Sequence, residues 1–181
     1  LTVSLLPSYA HNWLIPRLPS LEKACPSIKL NLSLSYEPVD FNHDPDIDVA
    51  IRLGRGVWPH LFAYKLSEHY LIPVCSPAVS ETLRRPEDLK HHRLVDEPEG
   101  FDEWARWLKV AKVDASQSKT LHLDDINLQI RAAIEGQGVS LCREEFVSSE
   151  LESGRLIKPF DSRVLADFQY YFVCPPSHLN D

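Results

Sequence analysis

The sequence predicts an α/β protein, and three observations support this fold class. Short apolar runs typical of strands alternate along the chain with segments whose apolar residues recur at helical spacing. Fourteen prolines mostly separate these segments. With 44% hydrophobic and 25% charged residues, the composition is that of a globular protein of one domain or two small lobes. We therefore expect mainly parallel sheets whose neighbouring strands are joined through helices.

The first part of the chain predicts three strands and one helix. Residues 2–6 (TVSLL) form a buried-strand pattern that ends at Pro7, and residues 10–24 have apolar side chains at helical spacing. Residues 28–34 alternate apolar and polar side chains, and residues 47–53 (IDVAIRL) end at a glycine-punctuated loop. Residues 62–75 form a long extended stretch, which predicts a segment running between two lobes.

The rest of the chain predicts further alternation. Helices are expected after Ser76-Pro77, over residues 101–111, after Asp124-Asp125 and over residues 144–153. The helix after Asp125 is expected to end at Gly136-Gln137-Gly138. The expected strands cover residues 93–95, 120–123, 139–142, 156–160 and 168–174.

Charge and chain ends limit the function classes. Nineteen Lys and Arg against 26 Asp and Glu give a formal net charge of −7, which disfavours direct binding to DNA phosphates. No run approaches the ~20 apolar residues that a membrane span requires. The chain begins at Leu1 and contains no Met, so we expect a processed product or a segment of a longer protein.

The four cysteines predict a reduced, cytoplasmic protein. Cys25, Cys75, Cys142 and Cys174 are far apart and form no C-x-x-C pair, and three of them end apolar runs. We expect mostly buried thiols, with two disulfides of a secreted chain as the alternative. A redox-sensing role for Cys75 is a further alternative, but no nearby second cysteine is visible in the sequence.

No pattern proposes a reaction, so the sequence predicts that the chain is not an enzyme. It contains no G-x-S-x-G, P-loop, G-x-G-x-x-G or H-E-x-x-H motif. Asp124 and Asp125 are adjacent, so they do not face one another as an acid and a base would. No metal site and no cofactor are expected.

Candidate ligand contacts follow from strand ends, because ligands of open α/β sheets bind beyond the carboxyl ends of strands. A helix start with free N–H groups and a hydroxyl follows the first strand, and an arginine ends the third. The candidate residues are Pro7, Ser8, Tyr9, Ala10, Arg52, Gly54, Cys75, Ser76, Leu123, Asp124, Asp125 and Tyr170.

Several of these residues have a purely structural alternative. Ser8 could only cap its helix, Arg52 could pair with Asp48 or Glu37, and Asp124 and Asp125 could be helix caps. Trp58 is expected in packing or in the lining of a cleft, whereas Trp104 and Trp107 are expected to pack on one helix face. If Arg52 and the two aspartates contact one ligand, an amino-acid-like or peptide-like zwitterion is the hypothesis.

Several segments together resemble the effector-binding domain of LysR-type transcriptional regulators. They are LTVSLLPSYAHNWLIPRLPSLEKACPSIKLNLSL at the start, DVAIRLGRGVWPHL, LIPVCSPAV, PEDLKHHRLV, LHLDDINLQIRAAIEGQGVSL, LESGRLIKPF and YYFVCP. The resemblance covers nearly the whole chain in order. The WP after RLGRGV and the PVCSP phrase resemble the branch of glycine-cleavage activators and beta-lactamase regulators.

The resemblance implies two Rossmann-like lobes joined by crossover strands, a type 2 periplasmic-binding-protein-like fold. Lobe one would comprise residues 1–73 and 162–181, and lobe two residues 74–161. A small-molecule effector would bind in the inter-lobe cleft. Members of the family also carry an N-terminal winged helix-turn-helix, which contacts DNA and is absent from this chain, and one more helix after the CP phrase.

The resemblance also implies an assembly. Effector domains of this family pair as homodimers within tetrameric regulators, through the first helix (around residues 13–23) and the helix after Asp125. The alternative is that the outward residues of these helices are simply solvated. The rival function is a monomeric, exported periplasmic solute-binding protein of the same fold.

Overall fold

The chain forms two compact units. A computed structural model describes residues 1–97 and 102–180, so the predicted helix start at Phe101 lies outside the described residues. Unit 1 contains Leu1–Glu68 and the segment from Asp167 onward, and unit 2 is His69–Ala166. The chain therefore passes between units after Glu68 and after Ala166, whereas the resemblance implied passages after residues 73 and 161.

Unit 1 is built on a five-stranded sheet in the order β2-β1-β3-β10-β4. Its strands are β1 (Thr2–Leu5), β2 (Asn31–Leu34), β3 (Val49–Gly54), β4 (Phe62–Lys65) and β10 (Gln169–Cys174). β1 pairs in parallel with β2 and β3, whereas β10 runs antiparallel to β3 and β4. The carboxyl ends of β1, β2, β3 and β4 therefore share one edge of the sheet with the amino end of β10.

The helical segment after β1 is broken rather than continuous. It consists of α1 (Pro7–Tyr9), a π-helical turn (Ala10–Leu14), a 3-10 turn (Ile15–Arg17) and α2 (Leu18–Ala24). The sequence predicted one helix over residues 10–24. Pro16 and Pro19 lack the N–H that an α-helical hydrogen bond requires, which accounts for the irregular turns around them.

Unit 2 contains the second five-stranded sheet, in the order β7-β6-β8-β5-β9. Its strands are β5 (Tyr70–Val74), β6 (Leu94–Asp96), β7 (Thr120–His122), β8 (Val139–Arg143) and β9 (Val164–Leu165). β6 pairs in parallel with β7 and β8, and β5 runs antiparallel to β8 and β9.

The helices of unit 2 are short and surround a core rich in aromatic residues. They are α3 (Pro77–Ser80), α4 (Glu103–Ala111), α5 (Ile126–Ile134) and α6 (Ser148–Glu152), with 3-10 turns at Pro86–His91 and Glu144–Phe146; a further 3-10 turn, Pro176–Asn180, belongs to unit 1. Trp104 and Trp107 of α4 are buried in the core with Leu71, Leu89 and Val139. Their predicted packing role is confirmed.

Three expectations about the strands are corrected. The stretch at residues 62–75 is two strands, β4 and β5, in different sheets. Residues 156–160 form no strand, since only Ile157 pairs, in a single bridge to Cys75; the strand lies at β9 instead. The sheets are mixed rather than mainly parallel, because β5 and β10 run against the strands that they join.

Candidate functional site

In unit 1, most of the predicted site residues converge at the edge formed by the carboxyl ends of β1–β3. Ser8, Tyr9 and Ala10 follow β1 after two intervening residues and are 6%, 0% and 1% exposed. The ring of Tyr9 lies 4.4 Å from that of Tyr170, at the start of β10. The Leu66 N–H donates a hydrogen bond to the Tyr170 carbonyl (3.0 Å), so both connections to unit 2 leave unit 1 at this edge.

Ser8 is not the cap of the first helix. α1 begins at Pro7, Leu6 occupies the N-cap position, and no side-chain hydrogen bond caps it. The Ser8 carbonyl accepts a hydrogen bond from the Asn12 side chain at 2.8 Å. The purely structural alternative for the Ser8 hydroxyl is therefore not what the structure shows, and ligand contact stays a prediction for this residue.

Gly54 lies under an aromatic side chain. A Cβ at this position would lie 2.6 Å from a ring carbon of Trp58, so the ring packs on the bare backbone of Gly54. The Trp58 ring also lies 5.2 Å from that of Tyr171. Trp58 thus packs within unit 1. Position 54 requires glycine, because any larger residue would collide with the Trp58 ring.

The guanidinium of Arg52 is held by neutral acceptors. It donates to the Ser4 hydroxyl (2.7 Å), to the carbonyl of Ile51 (3.0 Å) and to the carbonyl of Glu37 (3.1 Å). The Asp48 carboxylate instead accepts from the Thr2 N–H at 2.7 Å. Among the described residues, neither of the two ion pairs considered for Arg52 forms.

In unit 2, the carboxyl ends of β6, β7 and β8 also share one edge. Leu123 and Asp124 follow β7, and Asp124 is exposed. The Asp125 carboxylate accepts hydrogen bonds from the N–H groups of Asn127 (2.7 Å) and Leu128 (3.0 Å), so it caps α5. The structural alternative is therefore realised for Asp125, whereas Asp124 remains available at the edge.

The structure does not bring Cys75 and Ser76 to this edge. β5 runs antiparallel to β8, and Val74 pairs with Ser140. Cys75 and Ser76 therefore lie by the amino end of β8, at the far edge of the sheet from Asp124. The Ser76 hydroxyl accepts a 3.4 Å hydrogen bond from the Val79 N–H and caps α3. Burial raises the pKa of the Cys75 thiol to about 11, which disfavours the thiolate that redox sensing requires.

The sequence analysis missed a charged cluster at the same edge of unit 2. Asp96 ends β6, Glu97 follows it, and Arg143 ends β8. An Arg143 Nη lies 3.2 Å from an Oε of Glu103, and their side chains are 3% and 10% exposed. The cluster could have been predicted from the polar residues that end two apolar strand patterns, LVDE and VSLCR.

This cluster has an excess of negative charge. Burial, together with the neighbouring carboxylates of Glu103 and Asp96, raises the pKa of Glu97 to about 7 against the lowering effect of Arg143. Burial also raises the pKa of Glu103, against the opposing effect of Arg143. Glu97 and Glu103 thus both lie near Arg143, and Asp96 adds a further acid beside them, which favours a ligand group able to donate hydrogen bonds or carry positive charge.

We expect Glu97→Gln to stabilise the protein at alkaline pH. The folded state favours protonated Glu97, so its contribution to stability is present below the ordinary glutamate pKa of 4.5 and is lost as pH rises through the raised pKa of about 7. Gln resembles the protonated form, so the free energy of unfolding should rise by about 2–3 kcal/mol at pH 8 but by less than about 1 kcal/mol at pH 5.

Urea unfolding at both pH values measures this difference. The matched control is Glu81→Gln at an exposed acid of unit 2, which should change stability little at either pH. An equal effect of Glu97→Gln at pH 5 and pH 8 would contradict the assignment.

Among the described residues, no group of three or more His, Cys, Asp or Glu side chains is arranged to hold a metal ion. Within residues 1–97 and 102–180, no helix is long and apolar enough to cross a membrane. All four cysteines are free thiols.

Two α/β units, each made of a mixed five-stranded sheet, define the class of effector-binding domains with the type 2 periplasmic-binding-protein-like fold. The effector domain of the regulator AmpR of Pseudomonas aeruginosa has the same fold, with a TM-score of 0.86 and 31% identity over 98% of this chain and 85% of that one. The regulatory domain of CrgA from Neisseria meningitidis, at 18% identity and a TM-score of 0.75, supports the fold alone.

The sequence comparisons agree with this class. The family model described as "LysR substrate binding domain" matches residues 1–181, and the chain belongs to that family. It is 40% identical to the glycine cleavage system transcriptional activator of Escherichia coli K12, covering 98% of this chain and 59% of that protein. It is 32% identical to the transcriptional activator AmpR of Citrobacter koseri, covering 91% of this chain and 57% of that protein.

These relatives confirm the family and the branch that the motifs indicated. They are regulators of transcription rather than enzymes or solute-binding proteins. The chain spans less than two thirds of their length.

Proposed function

We propose that this chain is the ligand-sensing domain of a LysR-type transcriptional regulator and that it binds a small-molecule co-inducer. The observation that carries the proposal is the convergence of Ser8, Tyr9, Ala10 and Tyr170 at the edge of unit 1 where the chain passes to unit 2. The chain leaves unit 2 from the edge that carries the acidic cluster, since the Ala166 N–H donates to the His69 carbonyl beside β5 (3.0 Å).

Each unit by itself suggests a chemistry for a ligand at its own edge. Unit 1 offers Pro7, the hydroxyl of Ser8 and the backbone after β1, whereas Gly54 is covered by the ring of Trp58. Unit 2 offers Leu123, the exposed Asp124 and the partly neutralised acids around Glu97. A ligand with an ammonium or another hydrogen-bond-donating group fits the acids, because opposite charge stabilises a carboxylate in a desolvated site. Such a ligand shifts the domain between conformations only by its difference in affinity for them.

We also propose that the domain forms a homodimer through α2 and α5. Beside α2 lies an apolar groove of about 170 Å³ lined by Leu18, Leu21, Cys25, Ile28, Leu32 and other residues. Ile15 is 51% exposed before α2, and Leu128 is 53% exposed on α5. Contact with DNA would come from other parts of a full-length regulator, because this chain is acidic.

The test is a thermal-shift screen of amino acids, muropeptide fragments, aromatic acids and small metabolites. We expect one chemically related group to raise the Tm, since a ligand at about 100 times its Kd stabilises by about 2.7 kcal/mol. Ser8→Ala should remove most of that shift. Ser27→Ala, an exposed serine in unit 1, is the matched control and should keep it.

Two outcomes would count against the proposal. A co-inducer whose affinity is the same for Ser8→Ala and the unchanged chain would place the ligand elsewhere. A solution mass that stays at the 20.7 kDa of one chain at high concentration would exclude the dimer.

A further inference from the structure

Arg52 is a buried cation that pairs with no acid among residues 1–97 and 102–180. The residue is 8% exposed, and its three hydrogen bonds go to a hydroxyl and two carbonyls. Burial lowers the pKa of Arg52, and no carboxylate offsets that effect. Its Nε is buried and has no hydrogen-bond partner within the described part of the chain. Burying an unpaired charge is costly, so this guanidinium should attract an anion.

An apolar pocket adjoins Arg52. Its volume is about 180 Å³, and every lining residue belongs to unit 1. Ala50, Arg52 and Val173 form its floor on one face of the sheet, as the pairing of Val173 with Ala50 requires. Its walls include Val39, Phe41, Trp58 and Leu61.

The size and lining of the pocket define the kind of molecule that fits. An apolar cavity of roughly 150 Å³ is enough to hold benzene. Among the described residues, Arg52 is the only charged one in the lining, so it would balance the charge of one negative group but not of a second. A hydroxyl-rich or zwitterionic molecule would leave polar groups unpaired against the apolar walls.

We propose that this pocket is a second binding site, for a small monocarboxylate with an apolar ring or branched body, whose carboxylate pairs with Arg52. It is separate from the proposed co-inducer site, because Tyr170 pairs with Leu53 whereas Tyr171 pairs with Arg52. Successive side chains of a strand alternate, so Tyr170 lies on the opposite face of the sheet from Arg52.

Phenylacetate and its neutral analogue phenylacetamide provide the probes. We expect phenylacetate to raise the Tm of the intact chain by a few degrees and to bind at least about tenfold more tightly than phenylacetamide in calorimetry. Val39→Trp fills the pocket from a half-buried wall position without touching Arg52's hydrogen-bond partners, and it should abolish phenylacetate binding. Arg52→Gln should remove the preference for the acid over the amide.

Arg55→Gln is the matched control, because Arg55 is exposed and its guanidinium lies over Phe168, 4.7 Å from the ring centre. This variant should keep full phenylacetate binding. If Arg52→Gln fails to fold, Val39→Trp decides alone. Three results would overturn the site: no binding of phenylacetate, equal binding of acid and amide, or binding that Val39→Trp leaves intact and Ser8→Ala abolishes.

Discussion

Replacing Arg143 by Met should cost about 3–5 kcal/mol of unfolding free energy at pH 8, because it leaves buried carboxylates without their cation. The Arg143 side chain is 3% exposed and contacts Glu103 at 3.2 Å, with the partly buried Glu97 nearby. The loss should shrink at pH 5, since Glu97 and Glu103 already have raised pKa values and would then bind protons instead.

Denaturant unfolding of three variants tests this expectation. The double variant Arg143→Met with Glu103→Gln should recover at least about 1 kcal/mol, because fewer buried charges stay unpaired. Arg155→Met is the matched control, since Arg155 is paired with Glu150 at 2.8 Å but is 53% exposed, and it should cost less than about 1 kcal/mol. A loss for Arg143→Met that matches this control, or that is independent of pH, would show that the cluster is not electrostatically coupled.

Trp107→Ala should be comparably severe, for a different physical reason. The side chain is fully buried, lies 5.9 Å from the rings of both Phe160 and Trp104, and donates a 3.4 Å hydrogen bond to the Ser162 carbonyl. Its removal leaves a large cavity in the core of unit 2 and should cost about 3–5 kcal/mol.

The same helix offers the control for this change. Val110 of α4 is 58% exposed, so Val110→Ala should stay within about 0.5 kcal/mol of the unchanged chain. The comparison is read from urea midpoints at fixed pH. If both variants unfold at similar urea concentrations, the packing of α4 does not limit the stability of unit 2.

Local signals predicted much of the fold. The strand at Leu94–Asp96, the capped helix at Ile126–Ile134 and the final strand at Gln169–Cys174 fall within one or two residues of their expected positions. Each has a signal in its own residues: a flanking turn, a side-chain cap or an uninterrupted apolar run. The helix stop at Gly136 is also confirmed, since that glycine adopts φ +70°.

What the sequence could not provide is the direction of strand pairing. β5 reads as a buried strand in either orientation, yet its antiparallel register with β8 moves Cys75 and Ser76 away from Asp124. Likewise, residues 156–160 look strand-like, but only Ile157 finds a partner. Pairing depends on contacts distant in the chain, which one sequence does not encode in any local window.

The site shows the same limit at the level of single side chains. The position of Arg52 at the end of β3 was predictable, but its orientation towards Ser4 and the Glu37 carbonyl depends on the loop after β2. The cluster around Glu97 was missed because burial, rather than residue type, raises its pKa.

The position of β10 has a consequence for how the protein is made. This strand lies between β3 and β4, so β4 has no partner in its sheet until residues far downstream have been synthesised. Unit 2 is one continuous segment and can complete its sheet first on the ribosome, where domains generally fold as units. Until then β3 and β4 of unit 1 present unpaired edges to the cell, so slow translation after Ala166 should favour aggregation or chaperone capture over native assembly.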